Sequence, residues 1–323
     1  MTHAIARDEF IAVRISAWMK ERFPFANALL FFVLYLTSAA VARSVSDQAI
    51  SISLLDLFMC LITWSFFLVV RIFDEHKDYD LDVLNHPDRV LQSGQITLHH
   101  LKILALTAIA SQGVFSVYLD GFTFGTVTIS WLIVFAYLCL MGAEFFCGEW
   151  LEKRLALYAF THMLIMPLII FWLANAAIQS TEFSQVLTPS VYIMMLLAFV
   201  SGFCFEIARK TRGPEEERDT VDSYSKIFGT KGSAYVVMGL TTGMLLSQLV
   251  LLVSLNVAYF WLFSAVIILS YGFAVKQLLA FTKAPSLKAR EKNEAVIAIN
   301  MLLGYLVVIV AVLVTHDVVG SVL

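Results

Sequence analysis

The chain has 323 residues, of which 59% are hydrophobic and only 15% charged, with a formal net charge of −3. Its mean hydropathy is +0.81. That balance excludes a disordered chain and argues against an ordinary soluble domain, leaving a protein of the membrane.

From the N-terminus, the stretch EFIAVRISAWMKERF (9–23) alternates apolar and basic residues at helical spacing. It reads as an interfacial helix on the inner leaflet, within a segment 1–24. Apolar runs long enough to cross a bilayer follow at about 25–44, 52–72, 99–119, 121–143, 155–177, 187–208, 233–254, 257–280 and 294–316. The first starts late, behind a charged segment and without an obvious small-residue cleavage site, so it reads as a span and not as a signal peptide. With nine spans and the N-terminus inside, every Lys and Arg except Arg43 falls in an inner segment. This positive-inside asymmetry fixes orientation and span count together.

The outer connections are short. Two inner ones are long and charged, 71–98 and 209–232, and they lie four helices apart. The expected fold is all-α: one domain over 1–323, two four-helix halves plus one helix, around a central cavity open to the inner leaflet. Both charged loops cap that cavity. Pro167 sits inside the fifth span, where a kink is expected. Asp56, His162 and Asn300 are costly in lipid and should face the interior. Cys60, Cys139, Cys147 and Cys204 lack metal-type spacing and read as buried small hydrophobes.

The segment RIFDEHKDYDLDVLNHPDRVLQSG (71–94) places Asp74, Asp78 and Asp82 at a spacing of four. On a helix they share one face, each step about 6 Å along the axis. Carboxylates that close disfavour joint ionisation unless a cation sits between them. Mg²⁺ fits, because one or two carboxylates, waters and substrate phosphates suffice to hold it. The alternative is a solvated loop with scattered acids.

These residues resemble the UbiA superfamily of intramembrane prenyltransferases. Its first motif runs Asn-Asp-x-x-Asp-x-x-x-Asp, then Pro-x-Arg-Pro-x-x-x-Gly. Asp78 and Asp82 match its two later aspartates, Asp74 stands at the asparagine, and Glu75 takes the next place. Pro87, Arg89 and Gly94 follow in register, with Val90 for the second proline. The second motif is altered in FEIARKTRGPEEERDTVDSYSKIFG (205–229). Its ending fits, but Arg212 stands where the first aspartate belongs and Glu216 where the second does. Glu206 matches a glutamate of the family, and Lys210 falls where many relatives carry an acid.

The resemblance implies a Mg²⁺-dependent transfer of a prenyl group from a prenyl diphosphate to an acceptor in the membrane. It makes Asp74, Asp78 and Asp82 catalytic and metal-holding, with Glu206, Glu216 and Asp219 as further metal candidates. Arg89, Lys153, Arg154, Arg209, Lys210 and Arg212 would contact the diphosphate. Arg binds phosphate bidentately without a metal, so the basic second loop can replace part of the metal charge. Two plainer readings stand beside these. The second loop is a surface segment whose charges pair with each other, or Lys153 and Arg154 only anchor the chain inside. The competing function is a protein of the same fold that binds or transports a lipid (di)phosphate. The expected setting is a bacterial inner membrane, N-terminus cytoplasmic and C-terminus outside, with membrane lipid as partner and no nucleic acid.

The topology is testable in a chain cleared of native cysteines. Thr2→Cys and Val322→Cys should be labelled from opposite faces of sealed vesicles; labelling of both from one face refutes the nine-span reading.

Overall fold

A computed structural model of the chain describes residues 9–218 and 222–316. Regular structure there is helical. α1 is Ile11–Arg22, α2 Ala28–Val45, α3 Leu54–Lys77, α4 Tyr79–Asn85, α5 Leu98–Leu119, α6 Thr126–Gly142 and α7 Gly148–Glu152. α8 follows at Leu155–Met163, α9 at Ile165–Ile178, α10 at Pro189–Arg209, α11 at Tyr224–Ser254, α12 at Phe260–Lys283 and α13 at Leu287–Thr315. Taking α8 and α9 together, eight helices among the described residues are long and apolar enough to cross a membrane. α6 is apolar but only 17 residues long, about 25 Å, near the lower limit for a span.

Local chemistry sets where these helices begin. Side-chain oxygens of Ser53, Thr97, Thr188, Ser223 and Ser286 accept hydrogen bonds from backbone N–H groups in the first turns of α3, α5, α10, α11 and α13. Because Ser223 and Ser286 cap polar first turns, α11 and α13 start at Tyr224 and Leu287, ahead of the apolar runs expected at 233 and 294. Much of the presumed inner loop 209–232 is therefore helix.

Each long helix packs on the next in sequence, and α13 closes the ring against α2. α9 also packs across the ring on α2. The two helices bring small buried residues, Ala39, Ala40 and Ala42 with Ala174, Ala176 and Ala177, which let backbones approach where lipid leaves no hydrophobic drive between helices. α9 is buried almost throughout from Ile169 to Ile178, whereas α8 buries only Ala159. One span thus seals the outer half of the ring and leaves the inner half open. The break between α8 and α9 falls at Leu164, three residues before Pro167. A proline ring clashes with the carbonyl four residues earlier, so the chain bends ahead of the proline, not at it.

One ion pair reinforces this seal. Arg43 donates to Asp56 through both terminal nitrogens, at 3.2 and 2.6 Å. It also donates to the carbonyls of Ser51 and Ala177. Tyr35 gives Asp56 a further hydrogen bond at 2.6 Å. The one basic residue outside the inner segments is thus bound internally, tying α2, α3 and α9 together. Asn300 is buried too, donating to Ser270 at 2.8 Å. Cys60 and Cys204 are buried as expected, but Cys139 and Cys147 are exposed, because α6 and the turn after it face outward there.

Removing one partner of a buried, hydrogen-bonded ion pair leaves the other charge uncompensated. Asp56→Ala should therefore destabilise the protein by about 3–5 kcal/mol, read as a lower thermal midpoint in detergent.

Candidate active site

The charged ends of α3 and α10 face one another. Asp74 lies within electrostatic reach of Asp78, Lys77, Arg209 and Glu206, and Asp78 within reach of Lys210. The two inner charged segments therefore border one concavity.

The row of aspartates does not run along a straight helix. α3 ends at Lys77, α4 begins at Tyr79, and Asp78 sits at the bend between them with φ −89° and ψ 5°. The bend gives the three carboxylates different partners. Asp82 turns back to the protein: Arg89 binds it at 2.7 Å and Arg22 at 3.3 Å. Arg22 also binds the buried Glu75 at 2.6 Å, and Arg71 pairs with the same carboxylate oxygen. Glu21 accepts from the Val90 backbone at 3.1 Å. α1 is thus fastened to α3, α4 and the loop after it. Asp74 has only a 3.9 Å approach from Arg71. Asp78 is exposed, and its carboxylate has no hydrogen bond or ion pair with a described residue. Desolvation inside the concavity raises the Asp78 carboxyl above the ordinary range. Lys77 and Lys210 oppose that rise, while Asp82 and Glu75 add to it.

A second group closes one wall. Lys77 pairs with Glu144 and donates to the Tyr158 hydroxyl. Its ammonium lies 4.6 Å from the centre of the Tyr158 ring, which stacks on His162 at 3.9 Å. His162 binds the Tyr158 carbonyl through Nδ1 at 2.8 Å. Glu144, Phe145 and Phe146 all adopt left-handed backbone, φ 48°, 52° and 56°, a conformation L-residues adopt at some cost. That turn carries Glu144 to Lys77. Its sequence partners lie too far apart for spacing to reveal them, so the pair was invisible before folding. Glu75, Arg22 and Arg71 were likewise missed, although the i,i+4 spacing of Arg71 and Glu75 was a local signal.

At the second motif Glu206 binds Arg209 at 2.6 Å and Lys210 at 2.9 Å. The acids that follow are spent on the loop's own structure. Glu215 accepts from the Leu287 backbone at 2.6 Å, Glu216 binds Arg290 at 2.9 Å, and Glu217 accepts from the Ser223 hydroxyl. Arg212 donates its backbone N–H to Ser225 at 2.7 Å, and its guanidinium pairs with no described carboxylate. Asp219 lies outside the described residues. The motif's final Gly229 has φ 71°, and a Cβ added there would meet nothing within 4 Å. Only glycine adopts that geometry freely, which accounts for its place at the kink inside α11. Lys153 and Arg154 lie in an exposed stretch after α7, and the Arg154 guanidinium stacks over Trp150 at 4.2 Å.

No three His, Cys, Asp or Glu side chains among the described residues converge into a ready metal site. The donor set still suits Mg²⁺. Two open carboxylates, Asp74 and Asp78, match an ion that keeps waters and takes substrate phosphate oxygens.

A ring of apolar helices, eight of them among the described residues long enough to cross a membrane, with an acidic first motif at one end defines the class. The UbiA prenyltransferase family profile matches residues 30–302, and the chain belongs to that family. Two solved structures share the fold. One is described as digeranylgeranylglyceryl phosphate synthase, with a TM-score of 0.63 at 16% identity, covering 93% of this chain and 99% of that one. The other is a UbiA homologue from Aeropyrum pernix K1 in its apo state, with a TM-score of 0.62 at 15% identity, covering 84% and 95%. No curated protein matches the sequence significantly.

The two kinds of aspartate predict different phenotypes. Asp78→Ala should abolish Mg²⁺-dependent diphosphate binding by calorimetry and leave the thermal midpoint unchanged. Asp82→Ala should cost about 2 kcal/mol of stability, because Arg22 and Arg89 lose a charged acceptor, and should expose α1 to proteolysis.

Proposed function

We propose that the protein transfers a prenyl group from a prenyl diphosphate to a small or lipidic acceptor within the membrane, with Mg²⁺. The observation that carries this reading is the pairing of open Asp74 and Asp78 with the basic Arg209 and Lys210 across one concavity, in a chain of this family. Asp74 and Asp78 would hold the ion, which when bound neutralises pyrophosphate and makes it a better leaving group. Arg209, Lys210 and Arg212 would take phosphate oxygens directly, as charge-assisted donors. Lys77 would add a further donor on leaving Glu144. The apolar helices would hold the prenyl tail and shield the allylic cation from water. Arg89 and Glu216 support this arrangement indirectly, the first by holding Asp82 and the second by binding Arg290. The setting is an inner membrane with the charged end cytoplasmic.

Glu206 is already neutralised by two basic groups, so the second motif supplies net positive charge without a metal. That supports one bound ion instead of two. It also keeps the binding-or-transport alternative in view, since phosphate affinity survives loss of a metal site.

Purified protein should release pyrophosphate from geranylgeranyl diphosphate with Mg²⁺ when a crude lipid extract is supplied, and mass spectrometry should find an extract component heavier by one prenyl group. Tight diphosphate binding without release would favour the alternative. Arg212→Ala should weaken diphosphate binding by roughly one to two decades. Arg212→Asp should raise the Mg²⁺ requirement and recover affinity at high Mg²⁺. If Arg212 is a surface residue, both variants stay within about twofold.

A further inference from the structure

Between α3, α5 and α6 lies a separate cavity of about 550 Å³, inside the size range of ligand sites. Its ends differ in chemistry. His76 and Lys77, in the last turn of α3, stand at one end with Lys102, from the start of α5. Ile109 lies two turns farther along α5, about 10 Å, and Phe135 lies as far from Gly142 along α6. Phe73 forms part of the apolar wall. Its ring packs on the α6 backbone so closely that a Cβ at Gly142 would stand 2.6 Å from Phe73 Cδ1, so any other residue at 142 would push the ring into the cavity.

No carboxylate lines this cavity. Lys102 has no ion pair with a described residue. The Nδ1 atom of His76 is engaged with the Ile72 carbonyl at 2.9 Å, which leaves Nε2 for a partner. Lys77 is paired with Glu144 behind the wall, so the unpaired cation at this end is Lys102, with His76 Nε2 beside it. An unpaired cation at one end of an apolar cleft matches an amphiphile with an anionic head.

We propose that this cavity binds a single-chain lipid with a phosphate-monoester head, the head among Lys102, Lys77 and His76 and the chain between Phe73, Ile109 and Phe135. The site adjoins the concavity of Asp74 and Asp78, since Lys77 borders both. Binding here requires no prenyl transfer, so its test stands apart from that of the enzymatic reading.

Native mass spectrometry of the purified full chain measures binding of lysophosphatidic acid, of lysophosphatidylcholine with the same acyl chain, and of inorganic phosphate. Lysophosphatidic acid should bind at least about tenfold more tightly than the choline lipid, and inorganic phosphate should not bind. Lys102→Gln should weaken lysophosphatidic acid about tenfold. Leu106→Trp, introduced from an exposed position on the cavity rim, should block it. Both variants should keep helical content by circular dichroism and keep prenyl diphosphate binding, which shows that they fold. Equal binding of the two lysolipids, binding of phosphate alone as tight as that of the lipid, or undiminished lipid binding in both variants overturns the proposal.

Discussion

The inner end of the molecule is organised by one buried carboxylate. Glu75 is enclosed in the protein and held by Arg22 and Arg71. A carboxylate taken from water must find cationic partners or take up a proton, and Arg22 ties α1 to this glutamate. Arg22 brings Asp82 with it, and Asp82 brings Arg89. Structural demands are met by these groups. Asp74 and Asp78 are thereby left with open oxygens facing the concavity.

Three departures from regular helix shape this half of the ring. The chain bends at Asp78, breaks at Leu164, and kinks at Gly229. Each has a local cause: the junction between α3 and α4, the proline at 167, and the left-handed glycine. Their joint effect is functional. The outer half stays a close-packed seal of small residues and the Arg43–Asp56 pair, while the inner half opens into a concavity ringed by charge. Irregular backbone at this depth is tolerated where it lines a cavity and not where it faces lipid.

The altered second motif reads differently once folded. In the sequence Glu216 is a candidate ligand, and Glu215 and Glu217 flank it. They are loop fasteners, bound to the Leu287 backbone, Arg290 and Ser223. Arg290 belongs to the last inner segment, far along the chain. The basic residues Arg209 and Lys210 stay at the concavity because Glu206, one turn before them on α10, holds them there.

Sequence alone determined the membrane character, the apolar spans, the acidic first motif and the departure at Arg212. Each is a matter of composition or of spacing within one segment, and period and hydropathy report such features directly. It also placed Asp56, Asn300 and His162 in the interior, because lipid forbids the alternative. Only the tertiary structure decided which carboxylates are open. Asp82 differs from Asp78 through Arg22 and Arg89, and Lys77 is drawn to Glu144 across a left-handed turn. Those pairings join residues tens of positions apart, and their energy depends on burial that exists only when the helices pack. A spacing of four can set three aspartates in line, but the fold chooses which of them meet an arginine and which remain open.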